Sequence, residues 1–284
     1  MTLFGGEIMS EIKIIGHRGN QGFSVENSAA AILDCSSNSA IDGTELDIRI
    51  TRDNEIAVIH NPIIRNINGI NTRVQDLTLA EIEKLKFQTS NVDQLLQKLY
   101  TFYYQDKYFY NQYCKLGKQT SRIPTFESIM DCFDGEKHML IELKGLPGEY
   151  SWKKQLYFED YLVSILQEYD YQNRNIALEG YNLDALYRIK NQLPDLKTVA
   201  LINKNDRLES YHMCFDGVSL EYPLITYDVI NEAIYNELDL YSWDDKKPIE
   251  HYKKIKESLN YLKYVASMTV ISDFPEKARE YIKK

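Results

Sequence analysis

Residues 175–202 read NIALEGYNLDALYRIKNQLPDLKTVALI, and this stretch decides the fold. Asn175–Leu178 (NIAL) is an apolar run of strand length. Tyr181–Leu193 places Leu183, Leu186, Ile189 and Leu193 at helical spacing, the stripe of a helix laid on a core. Thr198–Ile202 (TVALI) is a second strand-like run. Strand, helix and strand in succession make the repeating unit of a parallel sheet.

The same alternation extends in both directions. Upstream lie Lys13–Gly16 (KIIG), Thr44–Ile50 (TELDIRI), Glu55–His60 (EIAVIH) and His138–Leu143 (HMLIEL). Downstream lie Gly217–Leu220 (GVSL), Leu238–Ser242 (LDLYS) and Thr269–Ser272 (TVIS). Most are continuous apolar runs, as expected of strands buried on both faces. Thr226 is placed to cap a helix that buries Val229, Ile230, Ala233 and Ile234. Pro124 and Pro275 stand where first helical turns should begin. Eight or so such units predict an α/β fold, a TIM (β/α)8 barrel. The expected organisation is a tail over residues 1–10 and a single barrel domain over 11–284.

Two intervals break the rhythm. Thr44–Ile50 and Glu55–His60 are separated only by Thr51–Asn54 (TRDN), too short for a parallel crossover. Either a hairpin or an extended return fits, and both bring Glu45 and Asp47 near His60. The second interval is 88–121, with a Tyr-rich centre at Leu99–Cys114 (LYTFYYQDKYFYNQYC). It is too long for an ordinary barrel loop and reads as an insertion over one end of the barrel. It is a lid that shapes the pocket, a patch for a lipid-like substrate, or a small subdomain whose rings pack on the barrel.

Composition narrows the function classes. The chain has 284 residues, 33 Lys+Arg against 42 Asp+Glu, and a formal charge of −9. That balance argues against non-specific binding to nucleic acid or an anionic membrane, which needs clustered cations. Cys35, Cys114, Cys132 and Cys214 form no CxxC pair, so reduced thiols are expected and no zinc ribbon is readable. No stretch approaches the roughly 20 apolar residues of a membrane span, and Met1–Ser10 (MTLFGGEIMS) lacks the pattern of a signal peptide. A cytoplasmic location is the expectation.

The chemistry lies in four segments. His17-Arg18-Gly19 ends the first strand and is followed by Glu26-Asn27-Ser28. Glu45-Leu46-Asp47 puts two carboxylates on one face of a strand. His60 follows, and Glu142-Leu143-Lys144 ends a buried-looking run. Buried carboxylates cost several kcal/mol unless a cation neutralises them. Glu45, Asp47 and Glu142 would form a hard oxygen site for Ca²⁺ or Mg²⁺. His17 and His60 are a natural acid/base pair near neutral pH. Arg18 and Lys144 suit a phosphate. Together these are the parts for phosphodiester cleavage.

In this order the segments resemble the glycerophosphodiester phosphodiesterase family. The resemblance rests on HRGNQGFSVENS (His17–Ser28), ELDIRITRDNEIAVIHNPIIRNING (Glu45–Gly69), RIPTFESIM (Arg122–Met130) and IELKG (Ile141–Gly145). Weaker matches are Leu183–Leu201 with Pro194-Asp195, Leu240–Trp243 and VISDFP (Val270–Pro275). It implies a TIM barrel of the phospholipase C-like phosphodiesterase type, with an insertion after the third strand. It implies a divalent metal, Ca²⁺ or Mg²⁺, on Glu45, Asp47 and Glu142, and acid/base roles for His17 and His60. It implies phosphate contacts from Arg18 and Lys144, and a small-molecule glycerophosphodiester as partner.

Three places depart from the family pattern. His60-Asn61 stands for His-Asp, which loses a charge and keeps the hydrogen bonding. Glu179-Gly180-Tyr181 stands for Ser-Phe, and Trp243-Asp244-Asp245-Lys246 for Trp-Thr-Val-Asn. The last two sit where the alcohol portion of the substrate should lie.

The leading expectation is hydrolysis of glycerophosphodiesters to glycerol 3-phosphate and an alcohol. A lysophospholipase-D-type reaction on lyso-lipids and a non-catalytic relative are the alternatives. Trp243 reads as a wall of the pocket, and Glu221 as either a contact to substrate hydroxyls or a structural hydrogen-bonding group. His138, His212 and His251 fall outside the constellation, with His251 expected to face solvent on a charged helix.

Overall fold

The computed structural model describes residues 12–65, 71–85, 122–202, 208–244 and 247–283. β1 (Lys13–Gly16) leads through α1 (Ala29–Ser37) to β2 (Gly43–Ile50). Three short strands follow, β3 (Ile56–Val58), β4 (Ile63–Arg65) and β5 (Asn71–Arg73), then α2 (Leu79–Ile82) and α3 (Phe126–Cys132). Next come β6 (His138–Leu143), α4 (Trp152–Glu168), β7 (Ile176–Gly180), α5 (Leu183–Gln192) and β8 (Lys197–Ile202). The chain continues through β9 (Gly217–Glu221), α6 (Tyr227–Tyr235), β10 (Asp239–Trp243), α7 (Pro248–Leu262), β11 (Met268–Ser272) and α8 (Pro275–Lys283).

Eight of these strands form a closed parallel barrel. Around it run β1, β11, β10, β9, β8, β7, β6 and β2, and β2 pairs back onto β1 through Ile15↔Gly43 and Gly16↔Thr44. This is the expected TIM barrel. The tyrosine-rich 88–121 segment lies outside the described residues. Between β8 and β9 the described residues hold only a 3-10 turn, Leu208–Ser210.

The continuous apolar runs conceal a two-residue alternation. Ile15, Leu140, Ala177, Val199, Tyr241 and Ile271 point inward and fill the barrel as one cluster. Their neighbours Ile14, Met139, Ile141, Leu178, Ala200, Leu240 and Val270 point outward and pack under the helices with Ile32, Phe158, Leu162, Leu186 and Tyr252. Each fully buried Leu or Ile contributes about 1.5–3 kcal/mol. Two residues further along the inward face, toward the C-terminal rim, stand His17, Glu142, Glu179, Leu201, Trp243 and Asp273. One apolar layer thus supports one polar layer.

The short Thr51–Asn54 interval is a hairpin. β2 and β3 pair antiparallel through Ile48↔Val58, Arg49↔Ala57 and Ile50↔Ile56. Thr51 N–H donates to Glu55 O at 2.9 Å, and Asn54 takes a left-handed φ of 68° that Asn tolerates. β3 therefore leaves the barrel. Its Ala57 and the following Ile59 pack with Ile64, Val74, Ile82 and Ile123 in a satellite core of their own.

The helix signals resolve in detail. Thr226 caps α6 by accepting from Val229 N–H, and Pro275 opens α8. Pro124 does not lie in a first turn: Thr125 caps α3, and the proline precedes the cap. His251 is also not solvent-facing. It is 1% exposed, because Pro248, His251, Tyr252, Ile255 and Leu262 form the inner stripe of α7. Its Nε2 lies 2.8 Å from Ser242 Oγ, its ring stacks on Tyr222, and burial pushes it down to about 3. Among the described residues no helix is long and apolar enough to cross a membrane. The described cysteines, Cys35, Cys132 and Cys214, are free.

Candidate active site

The C-terminal rim of the barrel holds a cavity of about 170 Å³. His17, Arg18, Glu45, His60, Glu142, Lys144, Glu179, Tyr181, Leu201, Trp243 and Ile271 line it. Every residue expected from the sequence to bind or react is therefore in the wall, except Asp47. Asp47 lies directly behind, in contact with Lys144.

The turn after β1 is built around the cation it carries. Arg18 has a left-handed φ of 52°, a conformation that costs of order 1–3 kcal/mol outside glycine. Its contacts hold it there: the Arg18 N–H donates to Glu45 Oε2 at 2.8 Å, and Nη1 donates to Glu26 Oε2 at 3.0 Å. Gly19 follows at φ 78°, where a Cβ would meet the Ala31 carbonyl carbon at 2.5 Å. Only glycine lets the turn lie so close to α1. Burial works against the Arg18 charge, but Glu26, Asp47, Glu45 and Asp273 outweigh it and raise its pKa.

Asp47 is the anion of this group. Asn27 clamps it at two points: Asn27 Nδ2 donates to Asp47 Oδ2 at 2.6 Å, and Asp47 N–H donates to Asn27 Oδ1 at 3.1 Å. Lys144 Nζ lies 2.9 Å from Asp47 Oδ1 and 2.5 Å from Glu142 Oε1. Arg18 Nε lies 3.5 Å from Asp47 Oδ2. Burial opposes ionisation, yet Lys144, His60, Arg18 and the Asn27 hydrogen bond hold Asp47 well below the usual carboxylate range.

Glu45, Glu142 and Glu179 gather beside Asp47 with less support, since of the three only Glu142 touches a cation, Lys144. Oxygens of all three lie within 4.8 Å of one another. Glu45 Oε1 and Glu179 Oε2 are buried and have no hydrogen-bond partner. Burial and mutual repulsion push Glu45 and Glu179 well above the usual range. Burial and Asp47 push Glu142 up against the pull of Lys144. In the sequence Glu179 stands out only as a departure from the family pattern. Once the structure shows Ala177 inside the barrel, the two-residue alternation places Glu179 there as well. An all-oxygen set with orphaned buried atoms fits a hard divalent cation.

The two histidines are held by different partners. His17 Nδ1 lies 2.7 Å from Asp273 Oδ1, and Gln21 Nε2 donates to the same oxygen at 2.6 Å. Nothing in the motifs that contain Asp273 and Gln21 marks either as a partner of His17. His60 Nδ1 lies 3.0 Å from Asn61 Oδ1, and Arg49 Nε donates to the His60 carbonyl at 2.8 Å. An amide oxygen accepts, so this bond places the proton on Nδ1 and leaves a lone pair on Nε2. Burial, with the charges of Arg18 and Lys144, pushes His60 down to about 3 against the pull of Asp47 and Asn61.

The set combines two imidazoles, two cations suited to a phosphate, a cluster of hard oxygens and an aromatic wall. Comparisons with known proteins give the family. The model of the glycerophosphoryl diester phosphodiesterase family matches residues 17–277. The glycerophosphodiester phosphodiesterase of Caldanaerobacter subterraneus subsp. tengcongensis is 23% identical over 277 residues, or 95% of this chain and 98% of that protein. An Oleispira antarctica phosphodiesterase, solved in complex with the product sn-glycerol-3-phosphate, superposes at a TM-score of 0.70 with 18% identity. The match covers 96% of this chain and 97% of that one. A glycerophosphodiester phosphodiesterase from Parabacteroides distasonis gives 0.68 with 19% identity, over 96% and 98%. At such identities the two structures bear on fold alone.

Proposed function

The chain belongs to the glycerophosphoryl diester phosphodiesterase family and is an enzyme of that class, and on this premise we propose that it hydrolyses glycerophosphodiesters to glycerol 3-phosphate and an alcohol. The observation that carries the proposal is the single cavity into which His17, His60, Arg18, Lys144 and the glutamates converge.

Arg18 and Lys144 bind the phosphate oxygens. Both are fixed by carboxylates before substrate arrives, so little reorganisation accompanies binding. His60, with its proton directed to Asn61, presents Nε2 as the base that takes a proton from the attacking oxygen. His17, oriented by Asp273, returns a proton to the leaving alcohol oxygen. Trp243 and Tyr181 wall the side on which the alcohol lies and exclude water from it.

Glu45, Asp47 and Glu142 are the proposed holders of a divalent cation, Ca²⁺ or Mg²⁺. When bound, such an ion supplies Lewis acidity at a phosphoryl oxygen and balances the charge of the carboxylates.

The test is release of glycerol 3-phosphate from glycerophosphocholine and glycerophosphoethanolamine, with Ca²⁺, Mg²⁺ or a chelator. The expected result is turnover that chelation abolishes and that His17→Ala and His60→Ala each reduce by on the order of 10²–10⁴-fold. Wild-type rates in either variant would overturn the histidine roles. A folded protein inactive with both substrates and both metals would overturn the substrate class.

A further inference from the structure

Across three neighbouring strands the inward-facing residues of one level are all carboxylates. Asp47 on β2 is in register with Glu142 on β6, and Glu142 with Glu179 on β7. Glu45 stands one level below Asp47 on the same face. The site thus carries four carboxylates, one more than the family pattern described above supplies.

The cations present do not serve them equally. Lys144 lies against Asp47 and Glu142, and Arg18 against Glu26 and Asp47. Among the described residues no Lys or Arg lies within ion-pair distance of Glu179. Glu179 is 2% exposed and its Oε2 has no hydrogen-bond partner. Glu45 is likewise 2% exposed, with Oε1 unpartnered. A buried carboxylate left so costs several kcal/mol unless a positive charge is shared with it. The 4.8 Å within which the oxygens of Glu45, Glu142 and Glu179 gather is informative. It is about twice a Ca²⁺–oxygen distance of roughly 2.4 Å, so one ion can reach all three.

We infer that Glu179 joins Glu45 and Glu142 as a ligand of the divalent cation. The inference rests on the metal-dependent reading above. The fourth carboxylate raises the negative charge of the site and its number of oxygens, both of which favour Ca²⁺, with its 6–8 oxygen ligands, over Mg²⁺, which keeps several waters.

The experiment is calorimetric titration of the chelator-stripped full chain with CaCl₂, for wild type, Glu179→Gln and Glu45→Gln, each checked for native circular dichroism. Glu179→Ser replaces Glu179→Gln if the latter does not fold. The expected result is one Ca²⁺ site in wild type, weakened at least about tenfold by the Glu179 variant and weakened more for Ca²⁺ than for Mg²⁺. Affinity within twofold of wild type in the Glu179 variant, with binding lost in Glu45→Gln, would overturn the role of Glu179 and leave the metal site standing. No binding of either ion by wild type would overturn both.

Discussion

Asn61 Oδ1 accepts from His60 Nδ1 at 3.0 Å, so an amide oxygen stands where the family pattern has a carboxylate. The hydrogen bond keeps the ring oriented, and the negative charge is missing. Asn61→Asp is expected to raise the proton affinity of His60, because an adjacent carboxylate favours the imidazolium, by roughly 1–3 pKa units. The acid limb of the kcat/KM profile should move to higher pH by a similar amount. An unmoved limb would separate His60 from the titrating base. Asn61→Ala should lower kcat without moving the limb in that direction.

Asp273 Oδ1 lies 2.7 Å from His17 Nδ1, and in the proposed mechanism it positions that ring. Asp273→Asn should leave folding intact and lower kcat by on the order of 10²–10⁴-fold, by analogy with the carboxylate of a catalytic triad. The check is a full rate profile alongside Ca²⁺ titration. Loss of Ca²⁺ affinity with unchanged kcat would be the contrary result.

Buried neutral histidines set the acid behaviour of the fold. Burial pushes His251 down to about 3 and His138 down to about 4, against an ordinary value near 6.5. Between these values the unfolded chain binds protons that the folded one refuses, so stability rises with pH in that interval. It is fully present above about 6.5 and is lost as pH falls toward 4. Urea unfolding at pH 7.5, 6 and 5 should show this decline. His251→Gln should be less stable at pH 7.5 and should decline less steeply.

Glu159, buried in α4, is gripped by Arg188 of α5 through two hydrogen bonds, both 2.7 Å. Arg188→Ala leaves that carboxylate with Gln155 alone. The expected loss is about 2–3 kcal/mol of unfolding free energy, read as a lower urea midpoint with an unchanged slope. Activity at 25 °C should be unaffected, since Arg188 lies outside the site.

The barrel was legible because strand and helix periods differ, and the run 175–202 shows both. That His17, Arg18, Glu45, His60, Glu142 and Lys144 share one cavity was legible because they lie on or just after strand-like runs in a specific order. Glu179 was harder, because a strand buried on both faces reads as uniformly apolar and hides which residues face inward. Only the partner strands reveal that Glu179 continues the row through Glu142 and Asp47. His251 was misplaced for a related reason: Lys253, Lys254, Lys256 and Glu257 dominate the composition of α7, whereas burial follows its angular stripe. Local sequence does not separate a hairpin from an extended return at Thr51–Asn54. The register Ile48↔Val58 decides it.

That hairpin divides the two histidines between bodies of different strength. His17 follows a barrel strand paired on both sides, whereas His60 follows a three-residue strand that pairs with β2 outside the closed barrel and rests on a small separate core. Local opening with a free energy below that of global unfolding is common for such peripheral units. Amides of β3 should therefore exchange with solvent sooner than those of β1 or β11. In rising denaturant the enzyme should fall silent while its barrel is still intact.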